Sequence, residues 1–329
     1  MSKKRDTQID ILYSIGIFLV LLGHSHPSDW SSFSGTFFND LIVFIYTFHM
    51  PLFFFISGYL FMNSNSLENI GYKKWIKNKA MRLLTPYIVL SVVALIPKYY
   101  LEHHSFVTID YLIEAVLKPR VGVWGHFWFI PVLLLCYILF GAWHQFVTEK
   151  NKSRMLLAVT VFSLVLYFLP FSTQWLGLSD LKEACIFFCI GMNLKHILPM
   201  CKDYPKWIKY AWIVVSVLAA VVLDIWVQKK AVMLIVAVLM ISACWQLAKM
   251  IGNSKLALWI SNHNFTIYIY SWPFQAVMMG ICGRLGMPWY FISVLMFLAG
   301  IFGPVSVILV YEKLDCIHNR MFDLILGTK

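Results

Sequence analysis

Two histidines, His24 and His49, lie inside the first two apolar stretches of the chain, where most side chains are hydrophobic. An ionisable side chain in the hydrocarbon of a bilayer is costly unless it faces a partner or a wet cavity, so it indicates a functional site. A neutral imidazole can accept the proton of a hydroxyl near neutral pH, and a neighbouring polar group can orient it. The alternative is that each ring only bonds a backbone carbonyl of a neighbouring helix. The pattern therefore favours a general-base centre within the membrane.

The depth of both histidines follows from their positions along the helices. His24 comes fourteen residues after Asp10, which is roughly 21 Å on an α-helix. Asp10 marks the inner surface, where it either pairs with a basic group or serves as a negative charge favoured near a helix N-terminus. His49 lies roughly 15 Å below the outer surface in a second helix of opposite direction. We therefore expect the two imidazoles to lie at similar depths.

Lys79 and Arg82 form a second candidate site, before the third apolar stretch. They are about one helical turn apart. The Arg guanidinium can donate two hydrogen bonds to a phosphate group, and the Lys ammonium can add a second positive charge. Anchoring by basic residues on the cytoplasmic side explains the same pair without any ligand. The pair alone does not decide between these two interpretations.

Other signatures of chemistry are missing from the sequence. There is no HExxH motif, no Gly-rich phosphate loop and no serine nucleophile elbow, and the seven cysteines show no paired metal spacing. The sequence therefore predicts neither a metal site nor a site for a nucleoside triphosphate.

Membrane helices must position these residues. The 329 residues are 60% hydrophobic and only 13% charged, whereas about 20 apolar residues suffice for each bilayer crossing. Backbone groups in lipid must be bonded internally, so each span is predicted to be a helix. The predicted fold is all-α, a polytopic membrane bundle of about ten transmembrane helices. The spans fall near residues 8–26, 39–62, 83–101, 126–147, 154–172, 183–200, 208–227, 231–251, 262–282 and 289–311.

Basic residues set the predicted orientation. With the N-terminus inside, most of the 27 Lys and Arg residues fall on the cytoplasmic side, including Lys3, Lys4, Arg5 and Lys329. Such an excess marks cytoplasmic loops, so both termini are predicted to be cytoplasmic. The net charge of +11 then reflects orientation and not a nucleic-acid partner. In the longest outer interval, Ile109–Leu117 is predicted to form a short interfacial helix.

Taken in order, these segments resemble acyltransferase family 3, a family of integral membrane proteins. The ordered set covers about residues 6–310. It predicts one transmembrane acyltransferase domain at residues 6–312 and a short cytoplasmic tail at 313–329. The matching pieces are Asp10 to Gly23-His24, the block His49-Met-Pro-Leu-Phe-Phe-Phe-Ile-Ser-Gly58, Lys79-x-x-Arg82 before Pro86-Tyr87, Trp128-Phe129, Ile267-Tyr268 and Trp272-Pro273.

The resemblance implies an enzyme that moves an acyl group, by default acetyl, from acyl-CoA to a hydroxyl. The acceptor is a cell-surface or exopolysaccharide glycan or its lipid-linked precursor. His24 is the implied general base, with His49 and Asp10 as the other catalytic residues. Direct attack on the thioester requires no acyl-enzyme, and transfer through His24 itself is the alternative. Acyl-CoA is a donor substrate, and no cofactor is expected to stay bound.

Three positions depart from the family pattern. Tyr13 stands where family members have an Arg eleven positions before the histidine. The second basic pair is Lys79 with Arg82 instead of two arginines, and Ser271 stands where many members carry a His. The implied donor site thus comprises Tyr13, Lys79 and Arg82, with the two cations on the phosphates of CoA.

Two other classes of function stay open. A helix bundle with buried His and Asp also suits a transporter or flippase of a lipid-linked glycan, although paired broken helices are not evident. The missing Arg also suits a non-catalytic polysaccharide-assembly subunit. The expected partners are acyl-CoA, a glycan or lipid-linked saccharide and the lipid bilayer of a bacterial plasma (inner) membrane. No nucleic acid is expected, and a homo-oligomer is left open.

Overall fold

The computed structural model describes residues 6–27, 30–120, 125–197, 204–226, 229–313 and 320–327. Within these ranges every regular element is a helix, so the predicted all-α class is confirmed. Four basic residues that support the predicted orientation, Lys3, Lys4, Arg5 and Lys329, lie outside the described residues.

The helices follow one another with short connections, including 3-10 turns at Trp30–Ser32, Gly125–Trp128 and Trp175–Gly177. In chain order the α-helices are α1 (Thr7–Gly23), α2 (Phe37–Asn63), α3 (Ser66–Ile70), α4 (Tyr72–His103), α5 (Ile109–Leu117), α6 (Phe129–His144), α7 (Lys152–Phe168), α8 (Leu178–Ile197), α9 (Lys206–Trp226), α10 (Lys230–Ile251), α11 (Lys255–Asn262), α12 (Asn264–Arg284), α13 (Trp289–Lys313) and α14 (Arg320–Leu326).

Several of these helices can cross a bilayer. Among the described residues, five helical stretches are long and apolar enough to do so, in α2, α6 with its preceding turn, α9, α10 and α13. Helix α1 is apolar but shorter, at 17 residues. The chain is therefore a multi-pass membrane protein. Each predicted span overlaps at least one α-helix, but the number of crossings and the side of the termini stay predictions.

Two helix boundaries are informative. Helix α4 begins at Tyr72, well before the predicted start of the third span, because Lys and Arg are good helix formers in water as well. The predicted helix at Ile109–Leu117 is observed as α5, and the Thr108 side chain caps it by accepting from the Tyr111 backbone N–H. The predicted tail contains a further helix, α14.

The chain divides into two compact units, which we describe separately. The first contains α1, the part of α2 up to Ile56, and α9 to α13. In this unit α1 packs against α10, α11, α12 and α13, while α12 packs on α13 and α9 on α10. Asp6 caps α1 by accepting from the backbone N–H of Gln8. His24, His49 and Asp10 all belong to this unit.

The second unit contains the rest of α2 from Ser57, α3 to α8, and α14. Here α6 packs against α4 and α8, and α7 packs on α8. Gly58, the last residue of the block that begins at His49, lies directly against α8. A Cβ at this position would lie 2.0 Å from the carbonyl oxygen of Phe188, so packing explains the glycine. Lys79 and Arg82 belong to this second unit.

Candidate active site

His24 follows directly after Gly23, the last residue of α1, and is half-buried. Its backbone N–H donates to the carbonyl oxygen of Val20 at 3.0 Å, which continues the helical hydrogen-bond pattern by one residue. Its ring meets the ring of Trp272 in α12 edge-on, with centroids 5.4 Å apart. The ring of Tyr46 in α2 lies at 6.0 Å. The imidazole therefore lies beside aromatic side chains from two other helices.

The ring of Tyr46 lies near the rings of both predicted histidines. Its hydroxyl donates to the carbonyl oxygen of Gly23 at 2.7 Å and lies 3.2 Å from Nε2 of His26. Its ring centroid is 5.2 Å from that of His49. Tyr46 thus connects the end of α1 with His49 in α2.

His49 is buried, with 5% of its surface exposed. Its Nδ1 lies 2.9 Å from the carbonyl oxygen of Ile45, one turn earlier in α2. A carbonyl only accepts, so Nδ1 carries the proton in this bond, and Nε2 of the neutral ring is an acceptor. His49 is therefore oriented to present a basic nitrogen on the side of the ring away from its own backbone.

Polar groups of α12 reach the same end of α1. Gln275 is fully buried, and its Nε2 donates to the carbonyl oxygen of Leu21 at 2.9 Å and to the Ser25 hydroxyl at 3.0 Å. Ser25 in turn donates to the carbonyl oxygen of Leu21. Ser271, at the position where many family members carry a His, is buried and donates to the carbonyl oxygen of Tyr268 in its own helix.

Asp10 has a different environment from the histidines. It is buried at 5% exposure, and its carboxylate accepts from the Ser261 hydroxyl of α11 at 2.7 Å. One turn later in α1, the Ser14 hydroxyl lies 3.0 Å from the carbonyl oxygen of Ala257. These contacts join α1 to α11 fourteen residues before His24 in the sequence. The structure therefore does not bring Asp10 together with His24.

The predicted donor residues fall in both units. In the first, the ring centroid of Tyr13 lies 6.2 Å from that of Phe53. In the second, the Lys79 ammonium lies over the ring of Tyr137 at 4.6 Å and that of Trp75 at 5.6 Å. Arg82, one turn later in α4, is exposed. Arg82 thus has the more accessible charge, whereas aromatic faces hold Lys79.

The first unit brings together groups suited to moving a proton. It offers three imidazoles (His24, His26 and His49), a phenol and a carboxamide around the end of α1, which can accept, donate and orient hydrogen bonds. In the part of the chain that the structure describes, no group of three or more His, Cys, Asp or Glu side chains is placed to hold a metal ion.

Tyr46 and Gln275 did not emerge as site residues from the sequence. Tyr46 precedes His49 by three residues and so falls on the same side of α2. Gln275 is an uncharged amide within an apolar helix, three residues after Trp272. Both residues could have been found by searching for polar residues three positions from a motif residue on the same helix, His49 for Tyr46 and Trp272 for Gln275.

A family model for the acyltransferase domain matches residues 6–312. The chain belongs to acyltransferase family 3. This confirms the resemblance carried by the His24 segment and the block that begins at His49. The candidate site around His24 therefore lies within an acyltransferase domain.

Two curated relatives are similar to part of the chain. The nodulation protein NolL of Mesorhizobium japonicum is 26% identical over 222 residues, 66% of this chain and 55% of that protein. NolL of Sinorhizobium fredii is 27% identical over 197 residues, 58% of this chain and 49% of that protein. The chain thus spans about half the length of the curated relatives it matches. No solved structure matches it.

Proposed function

We propose that this protein is a membrane O-acyltransferase that moves an acyl group, by default acetyl, from acyl-CoA to a hydroxyl of a glycan. The acceptor is a cell-surface or exopolysaccharide glycan or its lipid-linked precursor, and the membrane is the plasma (inner) membrane of a bacterium. The observation that carries the proposal is the imidazole of His24, which lies beside the rings of Tyr46 and Trp272 in a chain of this family.

His24 acts as the general base in this proposal. Its imidazole takes the proton of the acceptor hydroxyl while the hydroxyl oxygen attacks the thioester carbonyl carbon of acyl-CoA. The carbon–oxygen bond forms and the carbon–sulfur bond breaks. The thiolate of CoA leaves and receives the proton from the imidazolium. The products are an ester on the glycan and free CoA, and no redox step or metal is needed.

His49 assists from the same unit. Its Nε2 is an acceptor, so it can hold a second hydroxyl of the acceptor or share the proton of the first. Tyr46 lies beside both rings and fixes the backbone next to His24. In this scheme the three side chains form the acceptor side of the reaction.

The donor side is assigned to the basic pair in α4. Arg82 is exposed and suited to hold a phosphate of CoA in a bidentate manner, while Lys79 supplies a second positive charge. Tyr13 has no positive charge to bind a phosphate, unlike the Arg of other family members. Lys79 and Arg82 must therefore contribute more to binding acyl-CoA. Asp10, bonded to Ser261, holds α1 against α11.

The test is transfer of labelled acetyl from acetyl-CoA to membrane glycan by the purified full chain. We expect His24→Ala to lower the rate by about 10²–10⁴-fold, as is usual for loss of a general base. His103→Ala is the matched control, because His103 is exposed in the second unit, and it should keep full activity.

Retained transfer by a folded His24→Ala protein would remove His24 from the mechanism. Two results together would contradict the proposed enzymatic activity. The wild-type protein would bind acetyl-CoA but acylate no glycan, and deletion of the gene would remove no ester from the surface glycans of the host. These results would favour a transporter or an assembly subunit.

A further inference from the structure

Gln275 bonds residues on both sides of His24, a backbone carbonyl before it and a side-chain hydroxyl after it. Its Nε2 donates to the carbonyl oxygen of Leu21, three residues before the histidine, and to the hydroxyl of Ser25, directly after it. The last four carbonyl groups of an α-helix have no partner within the helix, and that of Leu21 is one of them. The Ser25 hydroxyl donates to this carbonyl oxygen from the same segment, and Gln275 adds a second donor from α12.

The space for Gln275 is provided by Gly300 of α13. A Cβ at position 300 would lie 2.8 Å from Nε2 and 2.9 Å from Cδ of Gln275. A larger residue would thus displace the carboxamide from its two acceptors. Trp272, which meets the His24 ring, precedes Gln275 by nearly one turn of α12. One side of α12 therefore contacts the ring of His24 through Trp272, and Leu21 and Ser25 through Gln275.

Gln275 is not explained by packing alone. Its Oε1 is buried and, among the described residues, has no hydrogen-bond partner. A buried acceptor without a partner destabilises a fold, and a leucine of similar size would avoid this. A stabilising role would therefore favour an apolar residue at position 275.

We propose that Gln275 is a positioning residue that fixes the His24 imidazole for proton transfer. The inference rests on the proposed function and deepens it. Misplacing a catalytic group by about 1 Å can lower a rate by roughly 10²-fold. Gln275 contacts no reacting atom in this scheme, so its effect should appear in the chemical step and not in donor binding.

The experiment compares Gln275→Leu with Gln246→Leu in the purified full chain. Gln246 is a buried glutamine of α10 whose Oε1 likewise has no partner within the described residues, and it is not part of the site. We expect Gln275→Leu to lower kcat by roughly 10²-fold at an unchanged KM for acetyl-CoA. The pH at which the rate rises should also move, because that pH reports the base. Gln246→Leu should keep the wild-type kcat and pH profile.

Gly300→Ala and Ser25→Ala provide the test if Gln275→Leu does not fold. The first displaces the carboxamide and the second removes one of its acceptors, so both should lower kcat at constant KM. Wild-type kcat in any folded variant of Gln275, or an equal loss in Gln246→Leu, would overturn the inference. His24→Ala separates the two proposals. If it stays active, His24 is not the base, whereas an inactive His24→Ala beside a fully active Gln275→Leu refutes only the positioning role.

Discussion

At the scale of single residues, the end of α1 is held from two directions. The carbonyl oxygen of Gly23 accepts from Tyr46 of α2, and that of Leu21 accepts from Gln275 of α12. Carbonyls at a helix C-terminus normally bond water or a capping residue. Here side chains of other helices take the place of those partners. The backbone next to His24 is therefore held in position although α1 ends at Gly23.

Asp10 provides a prediction at the residue scale, because its contacts point to stability. Asn keeps an oxygen that can accept from Ser261, so Asp10→Asn should keep transfer within about threefold of wild type. Loss of the charge weakens the hydrogen bond, and we expect a fall of about 1 kcal/mol in the free energy of unfolding. Thermal unfolding and the transfer assay on the same preparation measure both quantities.

Ser261→Ala is the control for Asp10, since it removes the same hydrogen bond from the α11 side. It should lower stability by a similar amount and leave kcat unchanged. A folded Asp10→Asn protein that has lost transfer would instead support the catalytic role expected from the sequence.

The sequence reveals some site residues and not others for a physical reason. His24, His49, Lys79 and Arg82 are conspicuous because ionisable groups in or beside apolar helices are costly. Gln275 bonds Leu21 across 254 positions of sequence, and no local pattern predicts such a contact. The sequence therefore indicates where candidate site residues lie along their helices, whereas it does not predict their partners.

At the scale of helices, close approach explains part of the family-like block. Gly58 in α2 lies against the backbone of α8, and a Cβ there would meet the Phe188 carbonyl. Backbone cannot move aside as a flexible side chain can. The glycine is therefore required by the packing of these two helices in the second unit.

Gly58→Ala tests this contact. We expect it to lower the free energy of unfolding by about 1–3 kcal/mol or more, as overpacking does. Gly280→Ala in α12 is the matched control, because nothing lies within 4 Å of its added Cβ, and it should gain about 0.5–1 kcal/mol from helix propensity. Thermal unfolding of both variants in one detergent is the measurement, and equal stability of the two would contradict the packing argument.

Helix existence was predictable because apolar length and amphipathic spacing are local properties. Every predicted span overlaps an α-helix, and α5 has the bounds predicted for it. The start of α4 was not predictable from hydropathy, because Tyr72 to Arg82 is polar yet helical. Hydropathy marks where lipid begins, whereas helix propensity decides where the helix begins.

At the scale of the whole molecule, the proposed reaction depends on membrane orientation. Acyl-CoA approaches from the cytoplasm, so the basic pair of α4 must face inward, whereas a surface glycan is reached from the other side. The excess of basic residues in one set of loops predicts this orientation. Residues 102–120, which include α5, should then lie outside.

Cysteine labelling in intact cells checks the orientation. Ser105 precedes α5 and Lys74 lies near the start of α4, and both are exposed, so each accepts a cysteine without loss of packing. We expect Ser105→Cys to react with a membrane-impermeant maleimide in intact cells and Lys74→Cys to react only after permeabilisation. The unsubstituted chain gives the background, which should be low because its described cysteines are buried. The opposite labelling pattern would place Lys79 and Arg82 outside the cell, where acyl-CoA is absent. It would therefore contradict these two residues as the donor site, and the contacts of His24 would be unaffected.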